Sequence, residues 1–222
     1  MLPRILVVAA TPPLLAGCAG PLSTLSPAGP VAGSLAALWW IMFWGATALF
    51  MLVMVLLALT YLRPQVLRRL SPTGWIVGGG LLLTVPVLIV LTAASLVLGE
   101  QLLPRPDGET RRVELVAERW AWHFSYPEAG TGSTDVLHIP AGEPVEVVVR
   151  SADVIHSFWI PTLGGKMDAI PGHTNVIELR ADRPGRYQGI CAEYCGTGHD
   201  FMHFTVEAHP AAAYQAVLQA LR

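Results

Sequence analysis

Val145-Glu146-Val147-Val148-Val149 and, a little further on, Val154-Ile155-His156-Ser157-Phe158-Trp159-Ile160 decide how the second half of this chain reads. Both runs consist largely of β-branched and aromatic residues, which suit a pleated, half-buried surface. Runs of the same kind lie on either side, at residues 113–116, 120–124, 136–139, 176–179, 187–190 and 204–207. Breakers separate them: Pro127, Pro140, Gly142, Pro144, Pro161, Pro171-Gly172 and Pro184-Gly185. Short strands at this spacing predict a β-sandwich or barrel. The tail from Pro210 to Leu221 is rich in Ala, Leu and Gln and predicts a closing helix, with proline in its first turn. No internal repeat is evident.

Between the last two strands lies Cys191-Ala192-Glu193-Tyr194-Cys195-Gly196-Thr197-Gly198-His199-Asp200-Phe201-Met202. Two thiols, an imidazole and a thioether on one loop make a soft ligand set, which favours copper or zinc over magnesium or calcium. A single loop seldom closes a site alone, and His156, at a strand end among apolar neighbours, is the expected extra ligand. Several readings stay open on chemistry alone. A disulfide would use the cysteines and leave His199 and Met202 without a role. Zinc would leave Met202 unused. A mononuclear blue-copper site would leave one thiolate surplus. Two coppers sharing both thiolates would use every residue. Copper is the favoured reading.

Charge divides the chain. All 16 acidic residues lie from Glu100 onward, where only 10 basic ones stand, so residues 100–222 carry −6 and residues 1–99 carry +4. Between Arg4 and Arg63, and again between Arg69 and Glu100, no charged side chain occurs. Residues 35–62 and 75–98 each exceed the ~20 apolar residues that a membrane helix needs. Trp39, Trp40 and Trp44 near the first start, and Tyr61 at its far end, suit the interface. The second run contains Gly78-Gly79-Gly80 and Pro86, tolerated in membrane helices that pack against other protein. Arg63, Arg68 and Arg69 in the loop between them place that loop in the cytoplasm. The start reads as a secretory signal ending Leu15-Ala16-Gly17-Cys18, which resembles the bacterial lipoprotein cleavage box and would leave Cys18 lipidated. The expected division is a signal peptide at 1–17, a periplasmic linker at 18–34, transmembrane helices at 35–62 and 75–98 around a cytoplasmic loop at 63–74, and a periplasmic domain at 99–222.

The spaced set Cys-x-Glu-x-Cys-x-x-x-His-x-x-Met, with His156-Ser157-Phe158-Trp159-Ile160-Pro161 and Leu163-Gly164-Gly165-Lys166-Met167-Asp168-Ala169-Ile170-Pro171-Gly172 before it, resembles subunit II of the haem–copper cytochrome c oxidases. The likeness runs from about residue 21 to the end. It implies a two-helix transmembrane hairpin, then an all-β cupredoxin-like Greek-key barrel or sandwich with a short C-terminal helix. It also implies a binuclear copper centre, CuA. Cys191 and Cys195 would bridge, His156 and His199 would be terminal, Met202 would ligate weakly and Glu193 would offer its backbone carbonyl. The Glu193 side chain would bind magnesium at the interface with subunit I, a hard ion on a hard oxygen. Arg119-Trp120-Ala121-Trp122-His123-Phe124-Ser125-Tyr126 is similar to the family's aromatic segment, and by that match electrons enter at Trp120; Trp122, Phe124 and Tyr126 read as packing residues.

The resemblance implies an electron-accepting subunit of a bacterial terminal oxidase in the inner membrane. Its donor would be cytochrome c, and its partners subunit I, which holds the haem, and subunit III. No nucleic-acid partner is expected. The acidic domain would attract a cationic donor. In two places the chain departs from the family pattern. Gly79 stands where relatives often carry an acid at the mouth of a proton pathway, and no Cys-x-x-Cys-His of a fused haem domain occurs. The donor is therefore expected to be a separate protein or a haem on another subunit. The remaining histidines, His123, His138, His173, His203 and His209, read as structural or surface residues. Alternatives are a quinol-fed oxidase, a CuA nitric oxide reductase, and a membrane-anchored copper-binding or delivery protein.

Overall fold

The computed structural model describes residues 19–67, 71–100 and 110–222. Cys18 and the cleavage site before it, and Arg68 and Arg69 of the inter-helix loop, lie outside the described residues. The chain divides into two compact units, residues 37–101 and the remainder.

The first unit is helical. α1 spans Pro30–Leu62, beginning at Pro30 rather than at Leu35, and α2 spans Pro72–Gly99. At about 1.5 Å per residue these 33 and 28 residues reach about 50 and 42 Å, enough to cross a ~30 Å hydrocarbon core. Beyond Ala36 their apolar residues are mostly exposed, as lipid-facing or partner-facing helices require. Trp39 and Phe43, one turn apart, stack at 5.2 Å beside Trp40 and Trp44, forming an aromatic cluster near the start of the apolar run. Residues Ile76–Leu83 of α2 are wound as a π-helix, which ends just before Pro86. A proline ring clashes with the carbonyl of residue i−4, so a widened turn there relieves the conflict. Gly79 sits in this stretch, and its carbonyl accepts from Thr84 Oγ1 at 3.2 Å.

The second unit is a β-sandwich. Its strands are β1 (Arg111–Glu118), β2 (Ala121–Tyr126), β3 (Thr131–Thr134), β4 (Val136–Pro140) and β5 (Val145–Ser151). β6 (His156–Trp159), β7 (Met167–Ala169), β8 (Asn175–Leu179), β9 (Gly185–Cys191) and β10 (His203–His209) complete it. They form two five-stranded sheets, ordered β3-β2-β1-β5-β8 and β4-β10-β9-β6-β7. β1 with β5 and β10 with β4 are parallel; the other pairs are antiparallel. This is the expected cupredoxin-like sandwich, closed by α3 (Ala211–Ala220), which buries Tyr214 and Leu218. Pro210 stands just outside that helix as its cap rather than in its first turn.

The sequence pattern explains the layers. On β1 the buried residues Val113, Leu115 and Ala117 alternate with outward ones, as a strand with one wet face requires. Trp122, Phe124, Phe158 and Phe204 fill the space between the sheets, with Phe158 and Phe204 stacked at 4.8 Å. Gly189 makes room for the Phe204 ring: any Cβ there would overlap it. Two expectations need correction. Trp120 lies in the turn between β1 and β2, not in the strand, and the run at 154–160 is strand only from His156 to Trp159. Residues 28–32 are also no free linker. Ala28 N–H donates to Thr162 O at 2.7 Å, Asp182 N–H donates to Ala28 O at 2.9 Å, and Ala32 is buried.

Candidate metal centre

β9 ends at Cys191 and β10 begins at His203, so the whole loop of soft ligands joins two neighbouring strands. The loop is tied at its base, where Cys191 N–H donates to Met202 O at 3.0 Å. It is also tied to β6, because Ala192 N–H donates to Ser157 O at 2.9 Å. Phe158 of β6 pairs with Cys191 of β9, which brings His156, the first residue of β6, to the loop.

The donors converge. The Cys191 and Cys195 sulfurs are 3.9 Å apart, far beyond the ~2.05 Å of a disulfide. His156 Nδ1 lies 3.9 Å from Cys191 Sγ, and His199 Nδ1 lies 3.6 Å from Cys195 Sγ. Each thiol thus has its own imidazole. Met202 Sδ is 3.7 Å from Cys195 Sγ, and the Glu193 carbonyl accepts from Cys191 Sγ at 3.2 Å. His156, Cys191, Cys195 and Met202 are all buried, and His199 is half-buried. Four donors out of water, with no positive group among them, suit a soft cation and little else. The structure brings together every residue of the expected copper set. The Glu193 side chain is turned outward and half-exposed, 3.9 Å from Lys166 Nζ. Lys166 itself binds Asp168 at 2.7 Å, and with Ser157 it holds that carboxyl below the usual range.

Protonation fits a site made for a cation. Burial pushes the Cys195 thiol up to about 12, and the adjoining Cys191 adds to the rise. Without a metal the Cys195 thiol is therefore protonated, and a cation must displace that proton. Behind His156, Asp153 Oδ1 lies 2.8 Å from Nε2. Burial alone would raise the Asp153 carboxyl. Hydrogen bonds from His156 and from the N–H groups of Val154 and Arg119 outweigh it and hold the group at about 2. An ionised carboxylate can only accept, so Nε2 carries the imidazole proton and Nδ1 keeps its lone pair on the ligand side.

Trp120 covers the loop. Its indole packs on Gly196 and Gly198; a Cβ on Gly198 would lie 2.7 Å from Cε3 and 2.8 Å from Cε2. Trp120 is 41% exposed, so it meets solvent while its indole touches the backbone between Cys195 and His199. Trp122, Phe124 and Tyr126 are buried packing residues. Reading the sequence missed Asp153, Gly196 and Gly198. An acid three residues before a ligand histidine, and a Gly-x-Gly inside the ligand loop, were the available signals.

Residues 132–209 match the family model described as cytochrome c oxidase subunit II, periplasmic domain. The cytochrome c oxidase subunit 2 of Alkalihalophilus pseudofirmus is 34% identical over 141 residues, covering 61% of this chain and 41% of that protein. The quinol oxidase subunit 2 of Bacillus cereus is 30% identical over 223 residues, covering 90% of this chain and 73% of the relative. The chain belongs to the subunit II family of the haem–copper oxidases. A solved member, the periplasmic domain of subunit II from Bradyrhizobium japonicum, is 25% identical with a TM-score of 0.49, covering 53% of this chain and 95% of that one. Against some subunit II relatives the matched part is short: it spans 41% of the A. pseudofirmus protein and 30% of that from Synechocystis.

Proposed function

We propose that this subunit II accepts electrons from cytochrome c at a binuclear copper centre and passes them to haem in subunit I, where oxygen is reduced to water. Cys191, Cys195, His156, His199, Met202 and the Glu193 carbonyl would hold the copper. The single observation that carries this reading is the convergence of two buried thiols, each with its own imidazole, 3.9 Å apart. Bound copper supplies one-electron redox chemistry. The chain's own part is to hold the donors fixed and dry, so that little need move when the charge changes. Trp120, touching the loop and solvent, is the proposed point where electrons enter.

α1 and α2 anchor the subunit in the inner membrane against subunit I, with subunit III as a further partner, and the sandwich faces the periplasm. Cys18 carries the proposed lipid. The outward Glu193 carboxylate is the proposed magnesium ligand at the subunit I interface.

The test is copper stoichiometry with electron paramagnetic resonance on the purified full-length chain. Two coppers per chain, sharing one unpaired electron across both nuclei, is the expected outcome. One copper, or a signal confined to one nucleus, overturns the reading and favours a copper-delivery protein. One observation favours a quinol donor instead: the B. cereus quinol oxidase subunit matches 90% of this chain. Reduction of the assembled oxidase by cytochrome c, compared with reduction by a quinol, decides between the donors.

A further inference from the structure

On the sheet that carries the copper loop, β4 and β10 run parallel with Glu207 opposite His138. His209 follows Glu207 by two residues, so both side chains point to the same face of β10. Three donor atoms meet there. His138 Nδ1 lies 2.9 Å from His209 Nε2 and 3.7 Å from Glu207 Oε2, and His209 Nε2 lies 4.0 Å from the same oxygen. In the plane of these three atoms the point equidistant from them is about 2.1 Å from each, which is the length of a zinc–nitrogen or zinc–oxygen bond.

We infer that His138, Glu207 and His209 form a second metal site, for a first-row divalent ion of which zinc is the best fit. Two imidazoles and a carboxylate are a zinc donor set, with water left to fill the fourth position. The pocket is built rather than incidental. His138 is only 6% exposed, and its backbone N–H is fixed by Tyr126 Oη at 2.8 Å. Arg186 Nη2 binds the other Glu207 oxygen, Oε1, at 2.9 Å, leaving Oε2 turned toward the imidazoles. A supporting group that orients a ligand in this way commonly strengthens a metal site. His209 and Glu207 are partly open to solvent, which provides a route in. Without an ion, one ring donates to the other across 2.9 Å. On binding, that proton moves to the other nitrogen of its ring, so both rings stay neutral and no net proton leaves. The ion would clasp the end of β10 to β4. The inference is independent of the copper reading, since no residue is shared.

The experiment is equilibrium dialysis of the copper-loaded full-length chain in detergent against Zn²⁺, with metals counted per chain. One zinc per chain at micromolar free ion is expected, with the copper spectrum unchanged. His138→Gln and His209→Gln should each abolish it. In wild-type chain, Zn²⁺ should also raise the midpoint of thermal unfolding, because an ion that binds only the folded state stabilises it. Co²⁺ gives a readout that needs no variant: visible bands without the near-ultraviolet sulfur-to-metal transition that occupation of Cys191 and Cys195 would produce. No zinc retained by wild type, equal zinc in folded variants, or a cobalt–thiolate band overturns the inference.

Discussion

Trp120 and Gly198 are in face-to-backbone contact: the position of a Cβ on Gly198 is already taken by the indole of Trp120. The contact joins the most exposed aromatic of the β1–β2 turn to the short backbone segment between Cys195 and His199. Gly198→Ala therefore displaces the indole while leaving the donor atoms untouched. Stopped-flow reduction by cytochrome c should slow by about tenfold or more, within the one to three decades over which mutants of one interface differ. The copper absorption spectrum should stay as in wild type. An unchanged rate would remove Trp120 from the electron path.

Asp153 spans the same region. One oxygen takes the His156 ring and the other accepts from Arg119 N–H at 3.0 Å, so one carboxylate fixes both a ligand and the residue next to Trp120. Asp153→Asn keeps the size and loses the charge. It should weaken copper binding by about 10- to 100-fold, the usual effect of losing an outer-shell partner. Competition with a chelator measures this. Retention of wild-type affinity would make the Asp153 contact incidental.

Copper uptake should depend on pH in a definite direction. The Cys195 thiol is raised to about 12 in the metal-free protein, so it stays protonated through the physiological range. Each thiolate formed by the metal sheds a proton, and apparent affinity rises with pH. Proton release in weakly buffered solution should accompany loading, and Cys195→Ser should lower the number released. Copper binding that is flat between pH 6 and 8, about two tenfold steps in proton activity, would contradict a protonated Cys195 thiol.

Much of this was legible in the sequence, and the exceptions share a cause. The strands β1, β5 and β10 announce themselves because apolar residues recur along them, and Pro144 before β5 and Pro210 after β10 mark boundaries. β3, Thr131-Gly132-Ser133-Thr134, and β7, Met167-Asp168-Ala169, lack such a run. Both are edge strands, existing because β2 and β6 offer them a partner. The proposed copper donors were readable because most lie on one short loop. Trp120 on Gly198 and His138 with His209 join residues 78 and 71 positions apart, set by strand pairing that no local pattern records, whereas Asp153 on His156 is a local contact between residues three apart that apolar periodicity does not mark.

Residues 100–222 carry −6, and Glu118, two positions before Trp120, is largely exposed. A cationic donor is drawn to such a face, and exposed charges are screened by salt. The second-order rate of reduction by a cationic cytochrome c should fall by about tenfold or more between ~0.01 and ~0.1 M ionic strength, as the screening length drops from ~30 to ~10 Å. A small anionic reductant should show the opposite slope, because screening then removes a repulsion. Glu118→Gln should flatten the first dependence without altering the copper spectrum, since the residue touches no donor atom of the loop. A rate for the cationic donor that does not respond to salt would mean that shape and apolar contact at Trp120, not charge, govern docking.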